Sequence, residues 1–383
     1  MINIGLGFAA TFFMTWLLVR YAGRYIRSSM DLDLSGVQKI HQSAVPRVGG
    51  LAIYCGTAIT FAASRFLQTA PSHDTFLLLV CATLVFIGGL AEDLTKRVTP
   101  RMRLLCALGA ALAGCFGLSA VVDRVDVPAI DCALAILPIG VLFTMVAVAG
   151  VTHAINIIDG LNGLASVIAI LIFASIGYVA VCVDDWFITS VAFTMIGAIG
   201  GFVVWNYPSG LVFLGDGGAY LIGFLIAELL VLLIVRHPDV SAYYAIVATY
   251  PAFETLFSIY RRRFVRGQAV DTPDALHLHT LIYKRIARKG STSKDKQHVT
   301  RRNSISSPYL WLFSLVTIVP ATFFWNSPRV LAFSALAFVG IYVWLYSAIV
   351  RFKTPAWLIM PVSTFSQISR SRTDVPAARD RPR

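Results

Sequence analysis

The feature that most constrains this chain is a succession of apolar stretches, each about as long as a bilayer crossing, with charge confined to the segments between them. A spanning α-helix needs about 20 mostly apolar residues. Eleven stretches qualify: residues 2–19, 48–64, 76–91, 104–122, 132–152, 164–183, 187–204, 218–235, 242–259, 308–325 and 329–350. Only 14% of the residues are charged and the mean hydropathy is +0.73, whereas soluble domains carry roughly 25% charge. That composition excludes a water-soluble enzyme, a disordered chain and a coiled coil. The expected fold class is an all-α integral membrane protein, a polytopic bundle of eleven transmembrane helices. The first stretch, Ile4–Val19, lacks a basic leader and a small-residue cleavage site, so it reads as a span and not as a signal peptide.

Lysine and arginine fix the expected orientation. The segments on one side hold 28 of the 32 basic residues; the other side holds Arg65, Arg124, Arg236 and Arg329. By the positive-inside rule the N-terminus lies outside and the C-terminus in the cytoplasm. The expected organisation is one transmembrane domain over 1–350, with inner loops at 20–47, 92–103, 153–163, 205–217 and 260–307, then a basic, disordered tail over 351–383. The formal net charge of +12 is spread over these loops and not gathered on a soluble module. It therefore suits the anionic leaflet of a lipid bilayer, and no nucleic-acid partner is expected. The six cysteines form no CxxC and read as small core residues. No internal repeat supports an inverted-repeat transporter.

With only 20 acids, position matters. Asp74, Asp123, Asp126, Asp131, Asp184, Asp185 and Asp239 read as solvated outer-loop charges. Glu92, Asp93, Asp159 and Asp216 stand apart, in GGLAEDLTKR, NIIDGLNG and FLGDGG, each at an inner span end beside glycine. Three acidic spots at one membrane depth can converge, and glycine beside an acid lets backbone and ligand come close. Carboxylates facing one cavity suit a hard cation such as Mg²⁺, with a diphosphate completing its shell. Two acids fall inside spans. Glu254 reads as a structural ion pair with the Arg261–Arg263 run, and Glu228 has no assigned role. In the longest inner loop His277 and His279 stand two apart among basic residues, a setting for diphosphate that Arg47 in the first inner loop shares.

Five strings occur in order on the expected inner face: HQSAVPRVGG, GGLAEDLTKRVTPRMRL, NIIDGLNGL, FLGDGGAYLIGF and PDALHLHTLIYKR. Over roughly residues 35–290 the chain thereby resembles the polyprenyl-phosphate N-acetylhexosamine-1-phosphate transferases, the superfamily of the lipid I translocase and of the undecaprenyl-phosphate N-acetylglucosamine-1-phosphate transferases. The eleven-span pattern looks more like the latter branch. The resemblance implies transfer of a sugar-1-phosphate from a UDP-N-acetylhexosamine to undecaprenyl phosphate at the cytoplasmic face of the bacterial inner membrane, with Mg²⁺ (or Mn²⁺ in its place) as cofactor, and it leaves room for a homodimer. It makes Asp93 the base or orienter for the lipid phosphate, with Glu92 and Asp159 also catalytic. Asp216 takes the metal, Phe213 stacks on uracil, and Asn156, Asn206, His277, His279 and Arg47 bind nucleotide or substrate. Three positions depart from the pattern: Glu92 replaces the first acid of an Asp pair, Asn162 a second Asp, and Thr280 a third His. They point to an altered sugar choice, such as a 6-deoxy N-acetylhexosamine in place of N-acetylglucosamine. A lipid or solute transporter is the rival reading, a CDP-alcohol-type phosphotransferase lacks its spaced multi-Asp motif, and a scaffold without activity would not need the three retained aspartates.

Overall fold

The computed structural model describes residues 2–25, 45–66, 72–267, 276–286 and 296–353. The 354–383 part of the expected tail and His41 of the first inner loop lie outside the described residues. The described residues are helical throughout apart from short connections. The helices are α1 (Ile2–Tyr25), α2 (Gly49–Phe66), α3 (Ser72–Thr95), α4 (Pro100–Gly117), α5 (Pro128–Leu134), α6 (Leu137–Ile158), α7 (Leu164–Cys182), α8 (Trp186–Asn206), α9 (Gly215–Arg236), α10 (Thr249–Tyr260), the single turn α11 (Leu278–Leu281), α12 (Lys296–Phe323) and α13 (Pro328–Val350).

Each of the eleven apolar stretches overlaps a helix, though 104–122 runs past the end of α4 and 132–152 is broken between α5 and α6. Eight helices (α1, α3, α6, α7, α8, α9, α12 and α13) are long and apolar enough to cross a membrane, so this is a multi-pass membrane protein. The other three are shorter or interrupted. Helices α2 and α4 have 18 residues each and carry arginine at an end. The stretch 242–259 splits into a 3-10 turn, Ala242–Ala248, and the 12-residue α10. Pro251 explains the split: its ring opposes the carbonyl four residues back, so the chain before it cannot be regular α-helix.

Helix α9 is the axis of the bundle. It is buried from Gly215 to Ile234, and α3 and α6 pack along it, with α2 and α7 beside them. A helix this apolar all round belongs in the middle of a bundle. Its GDGG start is where backbones touch. A Cβ on Gly50 of α2 would collide with Gly218, and one on Gly89 of α3 would lie 2.6 Å from the Gly217 nitrogen. Small residues permit such approach where lipid supplies no hydrophobic drive between helices. These glycines therefore serve helix crossing, where the sequence reading had them making room for ligand.

The outer acids are tied in more firmly than solvated loop charges would be. Asp126 accepts hydrogen bonds from Arg124, the Ser241 hydroxyl and the Ala242 N–H. Asp131 takes the Val125 N–H, and Asp185 caps α8 at Ile188. Asp74 pairs with Arg236 at 2.7 Å.

Candidate active site

The site forms where α3, α4, α6 and α9 meet the segment before α2. Residues 46–50 run beside 213–214: Phe213 donates its N–H to the Pro46 carbonyl, and Gly49 and Gly50 donate to the carbonyls of Phe213 and Leu214, all at 2.8–2.9 Å. This pairing carries Arg47 to the start of α9. Gly215 follows with φ +75°, and a Cβ there would strike the Arg47 carbonyl. Only glycine meets both demands.

Asp93, 1% exposed, closes this corner from α3. Its two oxygens accept the backbone N–H groups of Asp216 and Gly217 at 3.0 and 2.9 Å. It thus caps α9 from a neighbouring helix, satisfying donors that a helix start leaves open. Arg47 Nε stands 3.9 Å away.

Asp216, next to that cap, faces the opposite way electrostatically. Its Oδ1 receives Asn156 Nδ2 at 3.1 Å and Arg47 Nη2 at 3.5 Å, and its Oδ2 receives Arg103 of α4. The Arg103 guanidinium also lies over the Tyr220 ring, 5.8 Å from its centroid, and Tyr220 meets His153 edge-on at 4.9 Å.

Asp159 ends α6 as its C-cap, half-buried. Among the described residues no donor reaches its carboxylate. Burial pushes its pKa up to about 7; Arg47 opposes that rise, and Asp216 and Asp93 add to it. These couplings place Asp159 within the field of the same cluster. Lys96, just past α3, joins from the other side. Burial and Arg47 lower its pKa, and Asp93, Asp216 and Glu92 pull it back.

The remaining expected residues sort into three groups. Glu92 turns to its own loop, where Oε2 accepts the Val98 N–H at 2.8 Å and closes the α3–α4 connection. Asn206 is a buried strut, with Oδ1 on the Gly163 N–H and Nδ2 on the Val212 carbonyl. Asn162 is another, wedged between Asn303, Ser307 and the Pro208 carbonyl. His277 bonds Glu254 at 3.0 Å and stacks flat on His279, whose ring lies against Gly160, next to Asp159. Glu254 is therefore not the partner of the Arg261–Arg263 run. Glu228 is fully buried against Gly114, and no donor among the described residues reaches it.

Among the described residues no three His, Cys, Asp or Glu converge on a metal position by themselves. Mg²⁺ asks for less: one or two carboxylates, with water and phosphate oxygens for the rest. Asp216, whose carboxylate faces the side chains of Asn156, Arg47 and Arg103, could supply such an oxygen, and Asp93 is bonded to the α9 backbone.

Residues 75–234, from α3 to the end of α9, match the model of glycosyl transferase family 4. The matched region contains Asp93, Asp159 and Asp216 together. Over that span the chain is similar to this family. It is 26% identical over 282 residues, 73% of this chain and 77% of the relative, to a "Probable undecaprenyl-phosphate N-acetylglucosaminyl 1-phosphate transferase" of Bacillus subtilis. It is 28% identical to an "Undecaprenyl-phosphate alpha-N-acetylglucosaminyl 1-phosphate transferase" of Escherichia coli K12, covering 77% of this chain and 79% of that one. A Thermotoga maritima protein of the same name is 29% identical over 73% of this chain and 80% of its own length.

Within the matched region, sequence reasoning missed Arg103, Lys96, His153 and Tyr220. Arg103 left a signal. It lies in the first turn of α4, capped by Thr99, where the helix dipole disfavours a cation. An arginine kept there needs an anion, and Asp216 is that anion.

Proposed function

We propose that this chain transfers an N-acetylhexosamine-1-phosphate from a UDP-sugar to undecaprenyl phosphate, giving the undecaprenyl-diphospho-sugar and UMP. The reaction opens assembly of a surface glycan such as O-antigen, at the cytoplasmic face of the bacterial inner membrane. The observation that carries the reading is the cluster at the start of α9: carboxylates of Asp216 and Asp159 among Arg47, Arg103 and Lys96, at a span end of a multi-pass protein. The acceptor is dissolved in lipid and the donor in water, so the site must open to both. The names of the relatives agree with it.

The chemistry is a displacement at phosphorus. An oxygen of the lipid phosphate attacks the phosphorus bearing the sugar, the bond to UMP breaks, and UMP leaves with the electron pair. Both substrates are anionic, so the protein's work is positioning and charge neutralisation. Arg47, held at 3.5–3.9 Å from its acids, and Arg103 are placed to take diphosphate oxygens. Asp93 acts as orienter: with both oxygens on α9 backbone N–H groups it fixes Asp216. Asp159 is the better base, because burial raises its carboxyl to about 7 and no donor among the described residues holds it. Asp216 would hold Mg²⁺, which would supply Lewis-acid stabilisation of the diphosphate. Phe213 and the His277–His279 pair bind the uridine and phosphate parts of the donor.

The test is UMP release by purified protein with undecaprenyl phosphate, Mg²⁺ and a panel of UDP-N-acetylhexosamines, including N-acetylglucosamine and 6-deoxy sugars. Lipid- and metal-dependent UMP from one donor supports the reading and identifies the sugar. Silence across the panel from folded protein overturns it. A phosphoryl group trapped on the enzyme would replace the one-step route with a covalent one.

A further inference from the structure

Glu254 is an acid on the buried face of α10, 0% exposed, and the mechanism above does not use it. Its surroundings are specific. Oε1 accepts His277 Nδ1 at 3.0 Å and the Leu278 N–H at 3.1 Å, and Oε2 accepts the Tyr342 hydroxyl of α13 at 2.7 Å. A carboxylate only accepts, so His277 Nδ1 carries its proton and Nε2 is the nitrogen left for a ligand.

The order passes along the loop. The His277 and His279 rings are parallel within 3°, centroids 5.3 Å apart. His279 Nε2 lies 2.5 Å from where a Cβ on Gly160 would stand, one residue from Asp159. The chain of contacts Tyr342, Glu254, His277, His279, Gly160 thus runs from α13 to the cluster at the start of α9. The other ionisable groups around the carboxylate are Tyr250 of the same helix and, beyond Tyr342, Arg261, which binds the Leu276 carbonyl and the Tyr346 hydroxyl.

We propose that Glu254, held by Tyr342, is a positioning residue that locks the His277 ring so that the stacked His277–His279 pair presents Nε2 to the phosphate-bearing donor beside Asp159. This rests on the transferase reading for what the pair contacts; the lock on His277 does not. A helix-end cap that served only folding would need the Leu278 contact and nothing from the imidazole.

A double-mutant cycle on the full-length protein in lipid nanodiscs separates the two. Glu254→Gln should lower kcat/KM for the UDP-sugar about ten- to hundredfold, the range for a hydrogen bond to a charged group. Tyr342→Phe should give a smaller loss of the same kind, and Glu254→Asp should recover part of it. In a His277→Ala background, Glu254→Gln should cost less than about twofold more, because it acts through the ring already removed. Losses that multiply, or a Glu254→Gln variant with unchanged kcat/KM, would overturn the proposal. A readout without turnover is diethyl pyrocarbonate labelling followed by peptide mass spectrometry, with the exposed His73 as internal reference. Glu254→Gln should raise the His277/His73 labelling ratio, and an unchanged ratio sinks the lock itself. If the ratio rises while wild-type protein releases no UMP from any donor, the lock stands and the transferase reading falls.

Discussion

At its Arg236 end α9 sets one cation among two acids and a histidine; at its Gly215 end it sets one acid among two arginines and an amide. Arg236 holds Asp74 at 2.7 Å and stands 3.9 Å from Asp185, which also holds His237 at 3.0 Å. Nearby, Arg124 donates to the carbonyls of Ile234, His237, Pro238 and Val240, closing the helix end. Asp126 shows the outcome. Burial alone would raise its pKa, yet Ser241, the Ala242 N–H and Arg124 together bring it below the usual carboxylate value. Near the Gly215 end deeper burial wins: it raises Asp159 to about 7, with no hydrogen-bond donor among the described residues to oppose it. Two clusters of similar composition therefore differ in saturation. The end with bonding capacity to spare is the one that can receive a ligand, and perturbed carboxyls collect at such places.

The largest expected effect tests that asymmetry. Asp216→Asn should lower UMP release about a thousandfold, the scale of losing a main electrostatic contact to the transition state. Arg236→Met, the matching change at the other end, should leave turnover per folded molecule intact and lower the thermal midpoint instead. Equal losses of turnover from both would erase the distinction.

Asp93→Asn comes next and separates cap from base. One amide NH₂ would face a backbone N–H, leaving a buried donor unpaired at a cost of roughly 2–3 kcal/mol. Thermal unfolding in detergent should show a clear drop. A variant with wild-type stability and no turnover would restore Asp93 as the base.

Much of this was legible from the chain. The helical, multi-pass character followed from the apolar stretches, because a bilayer permits few alternatives to helix; eight of the described helices are long and apolar enough to cross. The convergence of Asp93, Asp159 and Asp216 followed from three acids at one depth. Partners were not legible. Arg103 meets Asp216 across 113 positions, and Glu254, seven residues before Arg261, instead takes His277 and Tyr342 from two separate elements. Nor could the string GDGG distinguish glycine that admits a ligand from glycine that admits a neighbouring helix. Charge pattern fixes which end of a span is polar; only packing fixes which charge faces which.

The pH dependence sharpens the comparison at Asp159. Its folded pKa, about 7, lies above the ordinary aspartate value of 3.8. Between those values the unfolded chain loses the proton first, so stability falls as pH rises from about 4 to 7 and levels beyond. Asp159→Asn should remove that slope, and the thermal midpoints of variant and wild type should diverge across the window. Turnover runs the other way. A base must be ionised, so wild-type kcat/KM should rise through about pH 7. The lipid phosphate also titrates, and the variant separates the two: its residual rate should keep only the lipid's limb. An identical profile in both proteins would remove Asp159 from the base role.

The smallest expected effect belongs to the saturated end. His237→Gln removes one member of the Asp185 pair while Arg236 and the α8 cap remain. A partly exposed pair is worth about 0–1 kcal/mol, so the thermal midpoint should barely move, and UMP release should match wild type at every pH. The small size is informative because the two ends share a helix. If relieving charge at the Arg236 end changed donor KM, α9 would be transmitting strain from one terminus to the other, and the two clusters would form a coupled pair. If KM holds, the packing along α9 isolates them, and the chemistry is confined to the end where Asp159 has no donor among the described residues.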